Sequence, residues 1–189
     1  MEIIPTEIPD VKKIIPRRFA DSRGFFSEIF NEEKFAQAGL PFRAVQDNLS
    51  LSQERGTVRG LHYQTAPLEQ AKLVWVLQGS ILDAAVDLRK RSPTFGRHVA
   101  RTLSSKDPTL LYIPVGFAHG FCTLEPNTMV FYKVTRPYSP SDERGILWND
   151  PALGIPWPVT ETQSILSDKD RLLPRLSEAT DFFPYRRKG

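Results

Sequence analysis

The chain is poor in the residues from which cross-links and metal centres are usually built. Cys122 is the single cysteine among 189 residues, so an intramolecular disulfide is excluded and neither a Cys₂His₂ nor a Cys₄ zinc site can be assembled. A reducing compartment, the cytoplasm, fits that usage. Histidine is nearly as scarce: His62, His98 and His119 are the three available for imidazole chemistry. No segment approaches the apolar length of a membrane span. Met1 to Asp10 carries Pro5, Pro9 and three acids, with neither the basic nor the apolar region of an export signal. The expectation is a soluble, unexported protein with no membrane partner.

A strong excess of one charge is also missing. Lys and Arg number 25 against 22 Asp and Glu, a net +3 with signs interleaved, which does not call for a nucleic-acid partner. Lys12-Lys13, Arg17-Arg18 and the Arg186-Arg187-Lys188 tail read as solvated charge. So does Arg89-Lys90-Arg91, because Ser92-Pro93 follows it and marks an exposed turn.

What is present is a globular composition, 40% hydrophobic and 11% aromatic, in a length that fits one domain. The 16 prolines and 11 glycines recur between short apolar runs, as in many-stranded all-β chains. Periodicity predicts strands at Lys12–Ile15, Phe25–Phe30, Ala44–Ser52, Thr57–Gln64, Ala71–Gln78, Ile81–Asp87, His98–Ser104, Thr109–Ile113, Gly120–Leu124 and Met129–Thr135. One short helix is predicted over Asn31–Ala38, with Asn31 as N-cap, Glu32 and Glu33 in its first turn, Gly39 just beyond its end and Pro41 as a stop. After Trp148 the strand pattern fades into a turn-rich tail, residues 149–189, with one or two helical turns. A sandwich, jelly roll or closed barrel is implied.

Pro114-x-Gly116-x-x-His119 looks like the second half of a cupin motif, and His62 stands in Arg59-Gly60-Leu61-His62-Tyr63-Gln64. A metal-carrying cupin places a second histidine where Gln64 stands. An amide oxygen replaces imidazole poorly at a transition metal, and two strong ligands fall short of the usual three. A metal-free barrel is therefore favoured, with a metal-dependent oxygenase as the lesser reading. His98, at the start of a strand, reads as a partly exposed surface residue without a role.

What remains is acid–base equipment. Imidazole is a base near neutral pH, the phenol of Tyr132 is a neutral acid, and Lys72, among apolar residues, needs an anion or a polarised oxygen as partner. Together they are the parts needed to move a proton α to a carbonyl. Taken singly, each has a respectable structural reading: a buried His or Tyr usually satisfies hydrogen bonds, and a Lys can snorkel to the rim.

Several motifs then converge. Arg23-Gly24-Phe25-Phe26-Ser27-Glu28, Gln46-Asp47-Asn48, Arg59 to Gln64, Lys72, Pro114-x-Gly116-x-x-His119, Phe131-Tyr132-Lys133, Ile146 to Asp150 and Ser167-Asp168-Lys169-Asp170 together resemble the dTDP-4-dehydrorhamnose 3,5-epimerase family, in order and over most of the chain. The resemblance implies an all-β, cupin-type jelly-roll barrel occupying residues 1–189 as a single domain. It implies a homodimer in which the N-terminal strand region, residues 1–30, is exchanged, and no cofactor and no metal. The implied reaction inverts C3 and C5 of dTDP-4-dehydro-6-deoxy-D-glucose, through an enolate, in the making of dTDP-L-rhamnose.

By the same resemblance His62 is the base, oriented by Asp170; Tyr132 returns a proton from the opposite face; and Lys72 stabilises the enolate. Arg23 and Arg59 lie near the diphosphate, Arg23 and Glu28 coming from across the dimer. Glu28, Gln46, Asp47 and Asn48 contact the nucleoside or sugar, His119 and Lys169 line the site, Glu143 stands at its edge and Tyr138 stacks on the thymine. Leu49 stands where the family often shows His, so a polar contact made there is lost. Arg59 and His62 are three apart, which on a regular strand sends them to opposite faces; either a bulge at Gly60 brings both to the pocket or Arg59 reaches round the rim. An epimerase restricted to one carbon and a non-catalytic sugar-nucleotide-binding cupin are the alternatives.

Overall fold

The computed structural model describes residues 1–185; the Arg186-Arg187-Lys188 group lies outside the described residues. In chain order the elements are β1 (Glu2–Pro5), β2 (Lys12–Ile15), β3 (Arg18–Asp21), β4 (Gly24–Ser27), α1 (Glu32–Gln37), β5 (Gln46–Ser52), β6 (Val58–Gln64), β7 (Lys72–Gln78), β8 (Ser80–Asp87), β9 (Arg89–Lys90), β10 (His98–Ser104), β11 (Leu110–Ile113), β12 (Phe117–Thr123), β13 (Thr128–Val134), β14 (Glu143–Gly145), a 3₁₀ turn (Glu161–Gln163), α2 (Asp168–Arg171) and β15 (Phe183–Pro184).

Two antiparallel sheets form a jelly-roll sandwich. One runs β1-β2-β11-β7-β13-β5 and the other β10-β8-β12-β6-β14. Alternation along each strand decides what lies between them. Val74 and Val76 of β7, Val130 of β13 and Leu111 of β11 meet Ile81 of β8, Val99 of β10 and Phe117 and Phe121 of β12 in one buried cluster, against which Tyr132 packs. The outer faces are covered differently. Phe35 of α1, with Leu40 and Phe42, packs on Leu73 and Leu110. The tail lays Leu153 and Phe183 over Leu61, Tyr63, Val86 and Ala118. Coverage on both faces explains why every residue of β12 is buried.

Helix α1 forms where its caps predict. Asn31 accepts from the Lys34 backbone N–H, and the chain leaves by a Schellman turn in which Gly39, at φ +76°, donates to Ala36 and Leu40 donates to Phe35.

The structure adds β1, β3, β9, β14 and β15 to the predicted strands. β1 tolerates Pro5 because it is an edge strand, and the three residues of β14 are held by pairing with β6 rather than by an apolar pattern of their own. Arg89 corrects the reading of its basic run as solvated: its guanidinium is paired with Asp87 at 2.8 Å and Asp10 at 2.9 Å and stacks over Phe117 and Tyr185. The β3–β4 hairpin pairs with itself and leaves Phe25 and Phe26 at 60% and 70% exposure.

Candidate active site

The site begins with a bulge. Going along β12, His119 pairs with His62 and Phe121 with Arg59, so two steps on β12 face three on β6. Gly60 takes up the extra residue at φ +116°, where a Cβ would sit 2.7 Å from both Gly120 Cα and the His119 carbonyl oxygen. A Cβ on Gly120 would in turn meet the Arg59 carbonyl at 2.7 Å. Only a glycine pair permits this approach. Its result is that Arg59 and His62 line one cleft, together with Lys72, His119, Tyr132 and Asp170.

His62 Nε2 lies 2.6 Å from Asp170 Oδ1, a contact between residues 108 apart in sequence. Asp170 sits on the single turn of α2, whose N-cap Ser167 accepts from the Asp170 backbone N–H, and Gly60 N–H donates to its Oδ2 at 3.4 Å. Burial raises the pKa of the Asp170 carboxyl, but the His62 ring, the Gly60 amide and Ser167 outweigh it and hold the group below the ordinary carboxylate range. Asp170 is thus an anion that fixes the ring of His62, and the histidine side chain remains 27% exposed to the cleft.

Lys72 opens β7 and is buried, with Nζ 3.4 Å from the His62 carbonyl oxygen. Burial pulls its pKa down to about 8, against the opposing pull of Asp83 and Glu143. Tyr132 is pushed above the usual phenol value, mainly by burial, so its hydroxyl is protonated through the physiological range. A second pair lies deeper: His119 Nε2 is 2.8 Å from Asp83 Oδ2. Burial, helped by Lys72 and His62, lowers the His119 pKa despite the contact with Asp83. Asp83 escaped the sequence reading. The signal for it was an acid inside the apolar run Ile81-Leu82-Asp83-Ala84-Ala85-Val86.

The cleft, about 480 Å³, also takes in Lys169. Beside it opens a second lobe of about 240 Å³, which shares His62, Lys72 and Tyr132 and adds Gln46, Asn48, Tyr138 and Glu143. Glu143 bridges the lobes, accepting from Tyr138 OH at 2.6 Å and pairing with Lys169. Burial works against the Glu143 carboxylate, but Lys169 and Tyr138 keep it below its usual pKa.

Other expected residues lie elsewhere. Asp47 alternates away from Gln46 and Asn48 and pairs with Lys133 at 2.8 Å on the outer face. Arg23 and Glu28 do not line this chain's cleft; exposed near the hairpin, they pair with Asp21 and Lys34. Leu49 also faces outward, 57% exposed, so its side chain removes no contact from the cleft. The Gln64 amide is spent on backbone hydrogen bonds at the end of β6, and among the described residues no group of three His, Cys, Asp or Glu could hold a metal ion.

The family model for dTDP-4-dehydrorhamnose 3,5-epimerase matches residues 5–178. The chain belongs to this family. It is 49% identical over 178 residues to the dTDP-4-dehydrorhamnose 3,5-epimerase of Sinorhizobium fredii, covering 94% of this chain and 91% of the relative. The enzyme of that name from Bacillus anthracis, solved with TDP and PPi bound, is 51% identical and superposes with a TM-score of 0.89 over 93% of this chain and 99% of its own. A dTDP-6-deoxy-D-glucose-3,5-epimerase from Legionella pneumophila, in complex with dTDP-4-keto-L-rhamnose, is 42% identical with a TM-score of 0.93, covering 98% and 99% of the two chains. The sandwich is accordingly a cupin-type jelly roll.

Proposed function

We propose that the protein is a dTDP-4-dehydrorhamnose 3,5-epimerase, inverting C3 and C5 of dTDP-4-dehydro-6-deoxy-D-glucose to give dTDP-4-dehydro-L-rhamnose. The observation that carries this reading is the His62 Nε2–Asp170 Oδ1 contact of 2.6 Å in a cleft also lined by Lys72 and Tyr132, within a chain of this family. His62 takes the proton from the carbon next to the C4 ketone, and the electron pair moves onto the C4 oxygen. The Lys72 ammonium, desolvated and close to the base, stabilises that enolate. Tyr132 delivers a proton to the same carbon from the opposite face, inverting it, and solvent restores both groups. The same three side chains serve the second carbon, because both flank one ketone.

Arg59 and Lys169 at the mouth suit a diphosphate, Arg59 by its forked geometry. Gln46, Asn48, Tyr138 and Glu143 in the adjoining lobe suit the nucleoside and sugar. The exposed β3–β4 hairpin supports a homodimer in which Arg23 and Glu28 are offered to the cleft of a second copy and Phe25 and Phe26 gain a covered place; β1 and β2 pair within this chain's own sheet, so the exchange expected of residues 1–30 narrows to the hairpin. Among the described residues no helix is long and apolar enough to cross a membrane; together with the single cysteine, this supports work in the cytoplasm.

The test is incubation with the dTDP-4-keto-6-deoxy sugar in D₂O, followed by NMR. Deuterium at C3 and C5 of an inverted product is expected, at a rate that EDTA leaves unchanged. Exchange at one carbon would indicate the restricted epimerase, and binding without exchange would indicate a non-catalytic cupin.

A further inference from the structure

One buried side chain of the site is absent from this chemistry. Gln64 stands where a metal-binding cupin would place its second histidine, on the same strand as His62 and 3% exposed. Its amide is fully committed. Nε2 donates to the carbonyls of Leu68 at 2.7 Å and Pro137 at 3.1 Å, and Oε1 accepts from the backbone N–H of Ser139 at 2.8 Å. Two of these partners flank Tyr138. The same turn is tied to the other sheet by Gln46, whose Oε1 accepts from the Tyr138 backbone N–H at 2.8 Å. The turn at residues 137–139 thus spans the mouth of the sandwich, stitched to one sheet by Gln64 and to the other by Gln46, with Tyr138 at its crest and 52% exposed.

We propose that Gln64 is a positioning residue: it fixes the turn carrying Tyr138 to the strand carrying His62, and so sets how far the nucleoside end of the cleft lies from the base. This deepens the reading above and rests on it. A glutamine suits the task because one amide both donates to and accepts from the turn, which neither a carboxylate nor a neutral imidazole can do at three points. Nothing in this role touches the reacting carbons, so its loss appears in binding rather than in proton transfer.

The test compares Gln64→Met, which keeps the length and removes the hydrogen bonds, with Tyr138→Ala and the double variant. For Gln64→Met the expected result is a KM for the dTDP-sugar and a Kd for dTDP alone each raised about tenfold, with kcat within about threefold, as for loss of uniform binding. The double variant should bind no more weakly than Tyr138→Ala. Unchanged KM and Kd, a fall in kcat at constant KM, or additive losses in the double variant would each overturn the proposal. If Gln64→Met does not fold, Gln64→Glu serves: it keeps the acceptor for Ser139 but turns an oxygen on the Leu68 and Pro137 carbonyls, so the same split at similar or larger size is expected, and wild-type constants would overturn the proposal. Failure of the underlying reading looks different: the unmodified protein would neither bind dTDP nor epimerise the sugar.

Discussion

The interior holds two histidine–carboxylate pairs of nearly the same length, His62–Asp170 at 2.6 Å and His119–Asp83 at 2.8 Å, and their surroundings set them apart. His62 is 27% open to the cleft, and its partner carboxylate accepts from the Gly60 backbone N–H while the Ser167 cap holds the Asp170 backbone. The side chains of His119 and Asp83 are 6% and 0% exposed, and Asp83 Oδ1 is buried without a hydrogen-bond partner. One pair can reach a substrate and exchange protons with solvent. The other is buried: His119 meets the cleft with little of its side chain exposed, burial lowers its pKa, and Asp83 behind it opposes the fall in the Lys72 pKa. In the proposed mechanism, access, more than the identity of the two side chains, separates a base from a buried electrostatic prop.

The sharpest way to break this contrast is to truncate each histidine in turn. His62→Ala should lower epimerisation at both carbons by on the order of 10³-fold while leaving urea-unfolding stability within about 1 kcal/mol. His119→Ala should do the reverse, costing about 3 kcal/mol of stability because the Asp83 carboxylate is left buried without its partner. Equal losses in both measurements for both variants would erase the distinction. Next in size is Lys72→Met, with a loss of about 10²-fold in kcat. Its pH profile carries the sign: the Lys72 ammonium is present below about 8 and lost above it, so wild-type kcat/KM should fall as pH rises through that value. Tyr132, raised above the usual phenol range, stays protonated through that window, and Lys72→Met should abolish the limb. The smallest effect concerns the bulge. Gly60→Ala, forced against Gly120 and the His119 carbonyl, should cost about 2 kcal/mol and weaken activity by displacing His62.

Most of the sandwich was legible because period-two alternation is a local property, and β2 and β10 coincide with their predicted ranges. What was not legible depends on distant contacts. β14 has no pattern of its own and exists by pairing with β6; Arg89 is drawn inward by Asp10, far away in the chain. Asp170 reaches His62 across 108 residues, so no spacing rule pairs them, and it entered the expectation through family resemblance alone. The bulge was suggested by the spacing of Arg59 and His62, but only the face-to-face approach of Gly60 and Gly120 explains why the strand must take it. Asp47 and Leu49 show the converse: a motif read as a block contains residues that alternate, and these two face away from the site.

The most direct test of the central claim is the rate of deuterium uptake at C5 of the dTDP-4-keto-6-deoxy sugar in D₂O, measured by NMR for His62→Ala and His119→Ala side by side. The open pair being the base, uptake should fall by on the order of 10³-fold in His62→Ala and by about tenfold or less in His119→Ala. Persistent uptake in His62→Ala, with uptake abolished in a folded His119→Ala, would contradict it.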